Sequence, residues 1–357
     1  MTTGFSAFDH AMMRRALALA ENGLYTTTPN PRVGCVITKG EEILGEGWHR
    51  KTGEPHAEPI ALDIAGARAE GATVYATLEP CNHRGRTPPC VDALLKSKVK
   101  RVIAAMRDPN PKAARGGEAL AAAGVRFEHG LMEEEARELN IGFVSRVTRG
   151  RPWVRLKVAA TLDGRTALAN GKSQWITGEE ARRDAHRWRA RACAVLTGIG
   201  TVTADDPRLT VRDVETPRQP LRVIVDSRVE TPRTARILQG DPVLIFAGKN
   251  AAAPPNAQVI SLPNPNNKVD LPAMLEELGR RGINELHVEA GFRLNGSFAR
   301  EGCVDEFLLY LNPSLLGDGA QGMLDLPALD SLDARARLRL LSVERLGQDL
   351  RILARPA

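Results

Sequence analysis

Apolar and polar positions in the N-terminal part of the chain repeat with two different periods. At residues 7–21, apolar and small side chains recur at helical spacing, which predicts an amphipathic helix that ends at Asn22 and Gly23. Residues 33–38 and 43–48 are short runs rich in apolar and β-branched side chains, and the turn residues between them predict a β-hairpin. The chain therefore starts with a helix followed by two antiparallel strands.

Predicted helices and strands alternate from there to residue 139. A helix is predicted at residues 56–67, where Pro59 is tolerated only if it lies in the first turn. Such alternation is typical of an α/β domain with parallel strands and crossover helices. The other predicted elements of this part are strands at 73–78, 102–106 and 125–128 and helices at 91–96, 113–123 and 132–139.

A short basic segment separates this pattern from a second one. Residues 146–152 include Gly150 and Pro152, which favour a break between domains. We therefore expect two α/β domains, one at residues 1–147 and the other at residues 148–357.

The second domain repeats the α/β pattern and changes at its end. Strands at 337–345 and 350–354 are joined across residues 347–349, which predicts an antiparallel hairpin at the edge of the second sheet. Residues 251–268 are rich in Ala, Pro and Asn, and we interpret them as a surface strand flanked by loops. The other predicted elements are strands at 153–160, 194–197, 222–226, 243–246, 285–289 and 306–311 and helices at 179–191, 271–280 and 294–301.

Composition agrees with two globular domains. The 357 residues are 43% hydrophobic and 26% charged, which is enough for two separate cores. No apolar run approaches the roughly 20 residues that span a bilayer, and residues 1–9 lack the pattern of a secretion signal, so we expect a cytoplasmic protein without a membrane partner. Five cysteines are an odd number, which favours metal binding or burial over a set of disulfides.

The net charge of +6 comes from basic residues that are scattered along the chain. Aromatic residues make up only 4%, too few to predict a platform for stacking bases. The basic excess therefore suits a phosphorylated small molecule, and we expect no nucleic-acid partner.

The strongest chemical signal combines one histidine, two cysteines and one glutamate. His56, Cys81 and Cys90 offer an imidazole and two thiolates, and zinc with three protein ligands keeps a fourth position for water, whose pKa it lowers. Glu58 is close enough in sequence to carry protons from the attacking water to a departing amine. H-x-E with P-C and a second cysteine is typical of zinc deaminases that act on bases. The set predicts hydrolytic deamination with bound Zn²⁺.

Helix geometry restricts where these four residues lie. Residues two apart on a regular helix point about 200° apart, so His56 and Glu58 must lie at the start of their helix, with zinc beyond its end. Cys90 follows two prolines at another predicted helix start, where the helix dipole favours a thiolate. Each residue alone is more often a buried structural residue than a ligand, and only the combination favours a site.

Residues 80–90 (PCNHRGRTPPC) resemble the expanded cysteine loop of the bifunctional riboflavin-biosynthesis deaminase and reductase family. The resemblance extends to residues 28–34 (TPNPRVG), 45–49 (GEGWH) and 108–111 (DPNP). It implies a cytidine-deaminase-like three-layer domain that hydrolytically removes the 2-amino group of 2,5-diamino-6-ribosylamino-4(3H)-pyrimidinone 5′-phosphate. The residues that it implies are the zinc ligands His56, Cys81 and Cys90, the proton carrier Glu58, and substrate contacts at Asn30, His49, His83 and Arg86.

The second domain lacks a G-x-G-x-x-G motif after its first strand, which argues against a Rossmann dinucleotide site. Residues 286–291 lead from a strand into a glycine turn, and the helix at 294–301 would present its amino end to an anion. Residues 197–201 form a second turn of small residues after a strand. Either turn alone is a weak signal for phosphate binding.

The same family resemblance covers the second domain through five short motifs, which are residues 162–165 (LDGR), 173–177 (SQWIT), 204–207 (ADDP), 225–227 (VDS) and 288–291 (VEAG). It implies a domain similar to dihydrofolate reductase that uses NADPH to reduce the ribosyl group to ribityl, giving 5-amino-6-ribitylamino-uracil 5′-phosphate. A homo-oligomer, a dimer or a tetramer, is also expected from the family. The implied NADPH contacts are Ala159, Trp175, Thr201, Asp205, Ser227, Gly291, Phe292, Arg293, Leu294, Asn295, Gly296 and Ser297, and the implied substrate contacts are Ser173, Arg189, Leu209, Arg212 and Glu289.

Physical chemistry supports two of the implied substrate contacts better than the others. The guanidinium groups of Arg189 and Arg212 offer a planar fork of donors that suits a phosphate. The arginines within residues 182–191 also fit a solvated helix face, and this alternative stays open.

Two other functions compete with this interpretation. A deaminase of nucleic-acid bases with an RNA-binding second half requires a concentrated basic stripe with stacking aromatics, whereas the aromatic residues here are dispersed. A zinc-stabilised interaction module requires a fourth protein ligand, and Glu58 would then be dispensable.

Overall fold

The computed structural model describes residues 4–85 and 88–357, and its chain divides into two compact units, Met1–Arg149 and Gly150–Ala357. The helices of the first unit are α1 (Ala7–Glu21), α2 (Ala57–Ala65), α3 (Cys90–Lys96), α4 (Gly116–Ala122), α5 (Glu133–Leu139) and α6 (Ile141–Arg149). Its strands are β1 (Gly34–Lys39), β2 (Glu42–Trp48), β3 (Thr73–Ala76), β4 (Arg101–Ala104) and β5 (Arg126–His129).

The sheet of the first unit has the strand order β2-β1-β3-β4-β5. β1 pairs antiparallel with β2 and with β3, whereas β3, β4 and β5 are parallel. The predicted hairpin and the predicted parallel crossovers are therefore both confirmed.

Glycines allow helices to approach both faces of this sheet. A Cβ on Gly34 would lie 2.0 Å from the carbonyl oxygen of Ala16 in α1, and a Cβ on Gly47 would lie 2.5 Å from the carbonyl oxygen of Ala57 in α2. Gly47 pairs with Cys35, the neighbour of Gly34, so the two glycines lie on opposite faces. The expected three-layer architecture is confirmed, and the close approach places the first turn of α2 directly on β2.

A buried polar network fixes α1 to the sheet. Asp9 forms a capping box with Ser6, and its carboxylate accepts hydrogen bonds at 2.8 Å from the Tyr75 hydroxyl and from Arg101 Nη1. Arg101 also donates to Glu128 at 2.6 Å. Asp9 is 4% exposed, so α1 is connected to β3, β4 and β5 through charged side chains that are largely removed from water.

The second unit contains a larger sheet. Its helices are α7 (Glu179–Arg191), α8 (Ile199–Asp205), α9 (Leu271–Arg280) and α10 (Phe292–Arg300). Its strands are β6 (Trp153–Thr161), β7 (Arg165–Ala167), β8 (Ala194–Gly198), β9 (Leu221–Val225), β10 (Val243–Ala247), β11 (Ala257–Ser261), β12 (Glu285–Val288), β13 (Glu306–Asn312), β14 (Gln321–Gly322), β15 (Leu338–Leu346) and β16 (Asp349–Pro356).

Nine of these strands form one sheet in the order β11-β10-β9-β8-β12-β6-β13-β16-β15. The first seven strands in this order are parallel, and β16 and β15 close the edge as an antiparallel hairpin. The predicted antiparallel edge is thus confirmed. The order in which the chain adds strands changes side near β6: β8 to β11 lie on one side of it and β13 lies on the other. The carboxyl ends of β6, β8 and β12 meet at this point, which is where open α/β sheets bind ligands.

A fully buried arginine lies near the amino ends of the central strands. Arg155 of β6 donates to Glu306 at 2.6 Å and to Glu285 at 3.1 Å, and its guanidinium lies 4.2 Å from the ring centroid of Trp188. Both carboxylates and the guanidinium are at most 3% exposed. This ion-pair cluster fixes α7 over β6 and β12.

Several predicted bounds differ from those of the structure, and α6 and α8 were not predicted as helices. Residues 146–149 belong to α6, which buries Ile141 and Phe143 and ends only where Gly150 adopts φ +72°, so the units meet at 149/150 and not at 147/148. α8 starts immediately after Gly198, where only a glycine turn was expected. α10 begins at Phe292, two residues before the predicted start at Leu294. No helix in the described part of the chain is long and apolar enough to cross a membrane.

Candidate active sites

Three ligand atoms converge between the starts of two helices in the first unit. His56 caps the N-terminus of α2 in an extended conformation, Cys90 is the first residue of α3, and Cys81 lies in the loop after β3. His56 Nδ1 lies 3.2 Å from Cys90 Sγ and 3.6 Å from Cys81 Sγ, and the two sulfur atoms are 3.5 Å apart.

The spacing of these atoms fits a zinc ion. Ordinary Zn–S and Zn–N bonds in a tetrahedron separate the ligand atoms by about 3.6–3.8 Å. The hydrogen bond from Cys90, with a contribution from His56, lowers the pKa of the Cys81 thiol to about 4 despite its burial. His56, Cys81 and Cys90 therefore offer two sulfurs and one nitrogen near tetrahedral distances, and zinc held by these three residues would keep a fourth position for water.

Glu58 lies in the first turn of α2 beside this ligand set. It is 3% exposed, and its Oε2 accepts a hydrogen bond from Cys90 Sγ at 3.3 Å. Burial raises the pKa of Glu58. Because His56 has an extended backbone and precedes the helix, the side chains of His56 and Glu58 both reach Cys90 Sγ. This agrees with the prediction that both residues lie at the start of their helix.

A buried carboxylate shapes the cysteine loop. Glu79 accepts hydrogen bonds from the backbone N–H groups of Gly117 at 2.8 Å and Asp108 at 3.2 Å. A Cβ on Gly116 would lie 1.8 Å from the carbonyl oxygen of Pro80, so the loop packs directly on the start of α4. Sequence reasoning treated Glu79 only as part of the cysteine motif, whereas its contacts fix the backbone before Cys81.

Asn30 and His49 lie next to the zinc ligands. His49 Nδ1 donates to the carbonyl oxygen of Pro55 at 3.1 Å, so its Nε2 accepts from the Asn30 amide, also at 3.1 Å. The His49 ring packs edge-on to the His56 ring with 5.2 Å between centroids, and burial lowers the pKa of His49. A neutral His49 with a fixed tautomer therefore orients Asn30 at the site.

His83 and Arg86 follow Cys81 in the cysteine loop. His83 is half-buried, and its Nδ1 is buried without a hydrogen-bond partner among the described residues. Arg86 lies outside the described residues. A contact of either side chain with substrate stays a prediction.

Glu289, a predicted substrate contact of the second unit, is surrounded by basic side chains. Glu289 follows β12 and is paired through both oxygens with Arg189, whose Nη2 lies at 2.9 Å. Lys157 Nζ lies 3.9 Å and His287 Nε2 lies 3.4 Å from the same carboxylate. Burial opposes ionisation, but these neighbours outweigh it and hold the pKa of Glu289 well below its usual range. Glu289 is a permanent anion at this site.

The contacts of Arg189 change its expected role. Its Nη1 donates to the carbonyl oxygen of Thr210 at 3.1 Å, so all three nitrogens of its guanidinium already have partners. Arg212, in contrast, is exposed, and among the described residues its guanidinium donates only to the Thr210 hydroxyl, at 3.3 Å. Leu209 is buried nearby with φ +50°. Arg212 is therefore the better placed of the two arginines to receive a phosphate.

Two helix starts lie side by side at the carboxyl ends of β8 and β12. Gly198 caps α8 and Gly291 caps α10. A Cβ on Gly198 would lie 3.0 Å from the Leu294 side chain, and one on Gly291 would lie 3.7 Å from Thr201 Oγ1. Asn295 Oδ1 is buried without a hydrogen-bond partner in residues 4–85 and 88–357. Backbone N–H groups at helix starts suit phosphates, so this cradle fits the phosphate groups of a dinucleotide.

Other residues of the predicted cofactor segment form the first turns of α10. Ser297 Oγ donates to the carbonyl oxygen of Arg293 at 3.3 Å. A Cβ on Gly296 would lie 2.3 Å from the carbonyl oxygen of Asp325, so this helix packs closely on the following loop, and Phe292 opens the helix.

A polar loop adds further predicted residues to this edge. Ser173 Oγ donates to Asp205 Oδ1 at 3.4 Å. Trp175 is 71% exposed, with the Arg182 guanidinium 4.9 Å from its ring centroid. Ser227 follows β9, whose last residue pairs with Gly198. Trp175 thus lies near the start of α7, Ser173 near the end of α8, and Ser227 near the start of α8.

Ala159 lies on β6 opposite Tyr310 and packs against the residues beneath α7. Its side chain offers no hydrogen bond, so only its backbone or its small size would serve a cofactor. Sequence reasoning did not single out Lys157 and His287, whose places beside Glu289 depend on the pairing of β6 with β12.

Comparison with known proteins connects both sites to one family. The "RibD C-terminal domain" family model matches residues 152–352, and the "Cytidine and deoxycytidylate deaminase zinc-binding region" model matches residues 6–106. The riboflavin biosynthesis protein RibD of Escherichia coli is 45% identical over 358 residues, which cover 96% of this chain and 98% of the relative. RibD of Aquifex aeolicus is 44% identical, with 96% and 97% covered.

The chain belongs to the RibD family. The crystal structure of Acinetobacter baumannii RibD has a TM-score of 0.91 at 44% identity and covers 98% of this chain and 99% of that one. A Thermotoga maritima structure, described as a diaminohydroxyphosphoribosylaminopyrimidine deaminase and 5-amino-6-(5-phosphoribosylamino)uracil reductase, has a TM-score of 0.90 at 34% identity, with 98% and 99% covered.

The RibD family confirms the fold class, the enzyme class and the cofactors expected from the sequence. The first unit is a zinc-binding, cytidine-deaminase-like domain, and the second is a reductase domain of the NADPH-dependent RibD type. The chain is a bifunctional deaminase and reductase of riboflavin biosynthesis.

Proposed function

We propose that the first unit deaminates 2,5-diamino-6-ribosylamino-4(3H)-pyrimidinone 5′-phosphate and that the second reduces the ribosyl group of the product to ribityl with NADPH. The convergence of His56, Cys81 and Cys90 beside the buried Glu58 carries the proposal. Neither an interaction module nor a structural zinc site explains a buried carboxylate that is not part of the ligand set.

Glu58 moves the protons of the deamination. Zinc held by His56, Cys81 and Cys90 supplies the Lewis acidity that activates a water molecule. The Glu58 carboxylate takes a proton from the water as its oxygen bonds to C2 of the pyrimidine. It then returns the proton to the amine, the C2–N bond breaks, and ammonia leaves.

Asn30 and His49 bind and orient the pyrimidine in this scheme. The His49 tautomer, fixed by Pro55, turns the Asn30 amide so that its remaining donor and acceptor face the substrate. His83 and Arg86 complete the substrate contacts, in line with the resemblance of the cysteine loop. The buried Nδ1 of His83, which has no hydrogen-bond partner within residues 4–85 and 88–357, supports a polar partner at this position.

The second unit positions the ribosyl phosphate for reduction. Residues at the starts of α8 and α10, together with Trp175 and Asp205, would hold NADPH, which would supply the hydride for C1′ of the sugar. The ring oxygen gains a proton as the ring opens to ribityl. Glu289 contacts the sugar as a fixed anion, and Arg212 receives the 5′-phosphate.

One experiment tests both activities. Zinc-loaded protein is supplied with the diamino-pyrimidine phosphate and NADPH, and ammonia release and NADPH consumption are followed together. We expect ammonia first and NADPH oxidation after it. Absence of ammonia would contradict the deaminase proposal, and absence of NADPH oxidation with a supplied deaminated intermediate would contradict the reductase proposal.

We also propose that the enzyme is a homo-oligomer. Leu338, Leu340 and Val343 of the edge strand β15 are 42%, 62% and 52% exposed. Their partners on β16 are Pro356, Ala354 and Ile352, at alternate positions, so all three side chains share one face. A second copy that covers this face is the partner we propose. A cytoplasmic location stays a prediction.

A further inference from the structure

The loop at residues 209–213, called here the 209–213 loop, is held through its backbone by side chains from elsewhere. Gln219 Oε1 accepts from the N–H of Val211 at 2.8 Å, and Gln219 Nε2 donates to the carbonyl oxygen of the same residue at 3.2 Å. Arg189 holds the carbonyl oxygen of Thr210. The loop has no strand partner, so these side chains determine its conformation.

His186 of α7 makes the last of these contacts. Its Nδ1 accepts the backbone N–H of Arg212 at 3.2 Å, and its Nε2 lies 3.4 Å from the Asp213 carboxylate. His186 is 6% exposed, although it lies on a helix with many solvated arginines. The ring is therefore buried between α7 and the 209–213 loop.

These contacts require one tautomer. Because Nδ1 accepts, the proton must be on Nε2, where it points at Asp213. The charged groups around the ring are Arg189 on its own helix, Arg212 and Asp213 on the loop, and Glu289 after β12. Burial, together with Arg189, lowers the pKa of His186 to about 4. The accepting tautomer is thus kept at neutral pH.

We propose that His186 is a positioning residue for the reductase: its Nδ1 fixes the backbone of Arg212 so that the guanidinium is held ready for the 5′-phosphate of the substrate. The inference rests on the proposed role of Arg212 in the reductase reaction. Arg189 is already occupied by Glu289 and Thr210, so phosphate binding depends on the placement of Arg212.

Two substitutions test the roles of the two ring nitrogens of His186 separately. His186→Asn keeps an acceptor near the position of Nδ1, whereas His186→Gln keeps a group that reaches Asp213 and loses the acceptor for Arg212. Reduction of the supplied deaminated intermediate is measured with saturating NADPH. We expect His186→Gln to raise the KM for the intermediate about tenfold, with a change in kcat below about threefold. His186→Asn should stay within about threefold of the wild type for both constants.

A second readout follows the loop without turnover. Hydrogen exchange of the Arg212 amide should be about tenfold faster in His186→Gln than in the wild type and should return towards the wild-type rate in His186→Asn. The Kd for NADPH and the deaminase rate serve as folding controls and should not change in either variant.

The outcomes distinguish the inference from the proposed function. If the wild type reduces the intermediate and Arg212→Ala raises KM, but His186→Gln matches the wild type in KM and in exchange, the inference is wrong. Equal defects in His186→Gln and His186→Asn would also overturn it, because packing and not the Nδ1 acceptor would then matter. If Arg212→Ala leaves KM unchanged, the proposed role of Arg212 is wrong, and the inference about His186, which rests on it, is wrong as well.

Discussion

Glu58 and Glu289 are both buried, but their contacts give them different uses. Glu58 accepts a hydrogen bond from a cysteine thiol and one from its own backbone N–H, and no arginine or lysine forms an ion pair with it in the described residues. Glu289 is bound through both oxygens by Arg189, with Lys157 nearby. A buried carboxylate without an ion pair is free to exchange protons, whereas a carboxylate in an ion-pair cluster stays charged. The first suits proton transfer, and the second suits orientation of a sugar.

Replacement of Glu58 tests its role at the scale of one residue. Glu58→Gln keeps the size of the side chain and removes the proton carrier, so we expect deaminase kcat to fall by about 10²- to 10⁴-fold. Zinc content and reduction of a supplied deaminated intermediate should not change. Glu54→Gln, at an exposed position before the same helix, is the matched control. A Glu58→Gln enzyme with wild-type ammonia release would remove Glu58 from the mechanism.

The residues that sequence reasoning found differ from those that it missed in how local their signal is. His56, Glu58, Cys81 and Cys90 lie in short motifs whose residue types suit zinc chemistry. Their expected arrangement at two helix starts agrees with the fold. The contacts of His186 with Arg212, in contrast, join α7 to a loop 26 residues away. A single histidine on an arginine-rich helix carries no motif, so its partner is visible only in three dimensions.

At the scale of elements, predictions were best where a segment carries its own boundary signals. α1, α7 and α9 have the predicted bounds. Capping side chains, Ser6 and Asp270, mark the starts of α1 and α9, whereas α7 begins after Gly178 without a side-chain cap. α6 was missed because the basic residues before Gly150 resemble a linker, although Ile141 and Phe143 give the helix a buried face. α8 was missed because Gly198 and Gly200 resemble a turn, whereas Gly198 is its N-cap.

The attachment of α1 to its sheet gives a prediction on pH and stability. Burial opposes ionisation of Asp9, but hydrogen bonds from Ser6, Arg101 and Tyr75 lower its pKa from 3.8 to about 2. A lowered carboxyl pKa stabilises the fold above pH 3.8, and this stabilisation is lost as pH falls through about 2. Asp9→Asn should therefore reduce the free energy of unfolding by about 2 kcal/mol at pH 7 and by progressively less below about pH 5.

This expectation is checked by urea unfolding of the metal-free protein at several pH values between 2 and 7. The unfolding transition to follow is the one that Asp9→Asn shifts at neutral pH. Asp63→Asn, at an exposed position of α2, is the control and should not shift it. A difference between wild type and Asp9→Asn that stays constant down to pH 2 would show that the charge of Asp9 does not stabilise α1.

At the scale of the molecule, each chemistry has its own hydrophobic core. The buried cluster around Met13 and Val144 consists only of residues from the first unit, and the clusters around Val154, Val195 and Tyr310 consist only of residues from the second. Removal of zinc with a chelator should therefore abolish ammonia release and leave NADPH-dependent reduction of a supplied deaminated intermediate within about twofold. Added Zn²⁺ should restore deamination. Parallel loss of both activities would show that the reductase depends on the zinc-bound fold of the first unit.

The exposed face of β15 determines the final prediction, which concerns assembly. Residues at alternate positions of the neighbouring strand face α7, where Arg351 of β16 pairs with Asp184, so Leu338, Leu340 and Val343 lie on the opposite face of the sheet. Leu340→Lys combined with Val343→Lys places two charges on that face and should lower the mass of the particle in sedimentation velocity at micromolar concentration. Leu332→Lys, at a leucine that is 81% exposed outside the sheet, is the control and should leave the mass unchanged. A wild type that sediments as a monomer, or a double variant with the wild-type mass, would contradict assembly through β15. An unchanged Kd for NADPH in the double variant would show that the loss of mass does not come from unfolding of the second unit, to which β15 belongs.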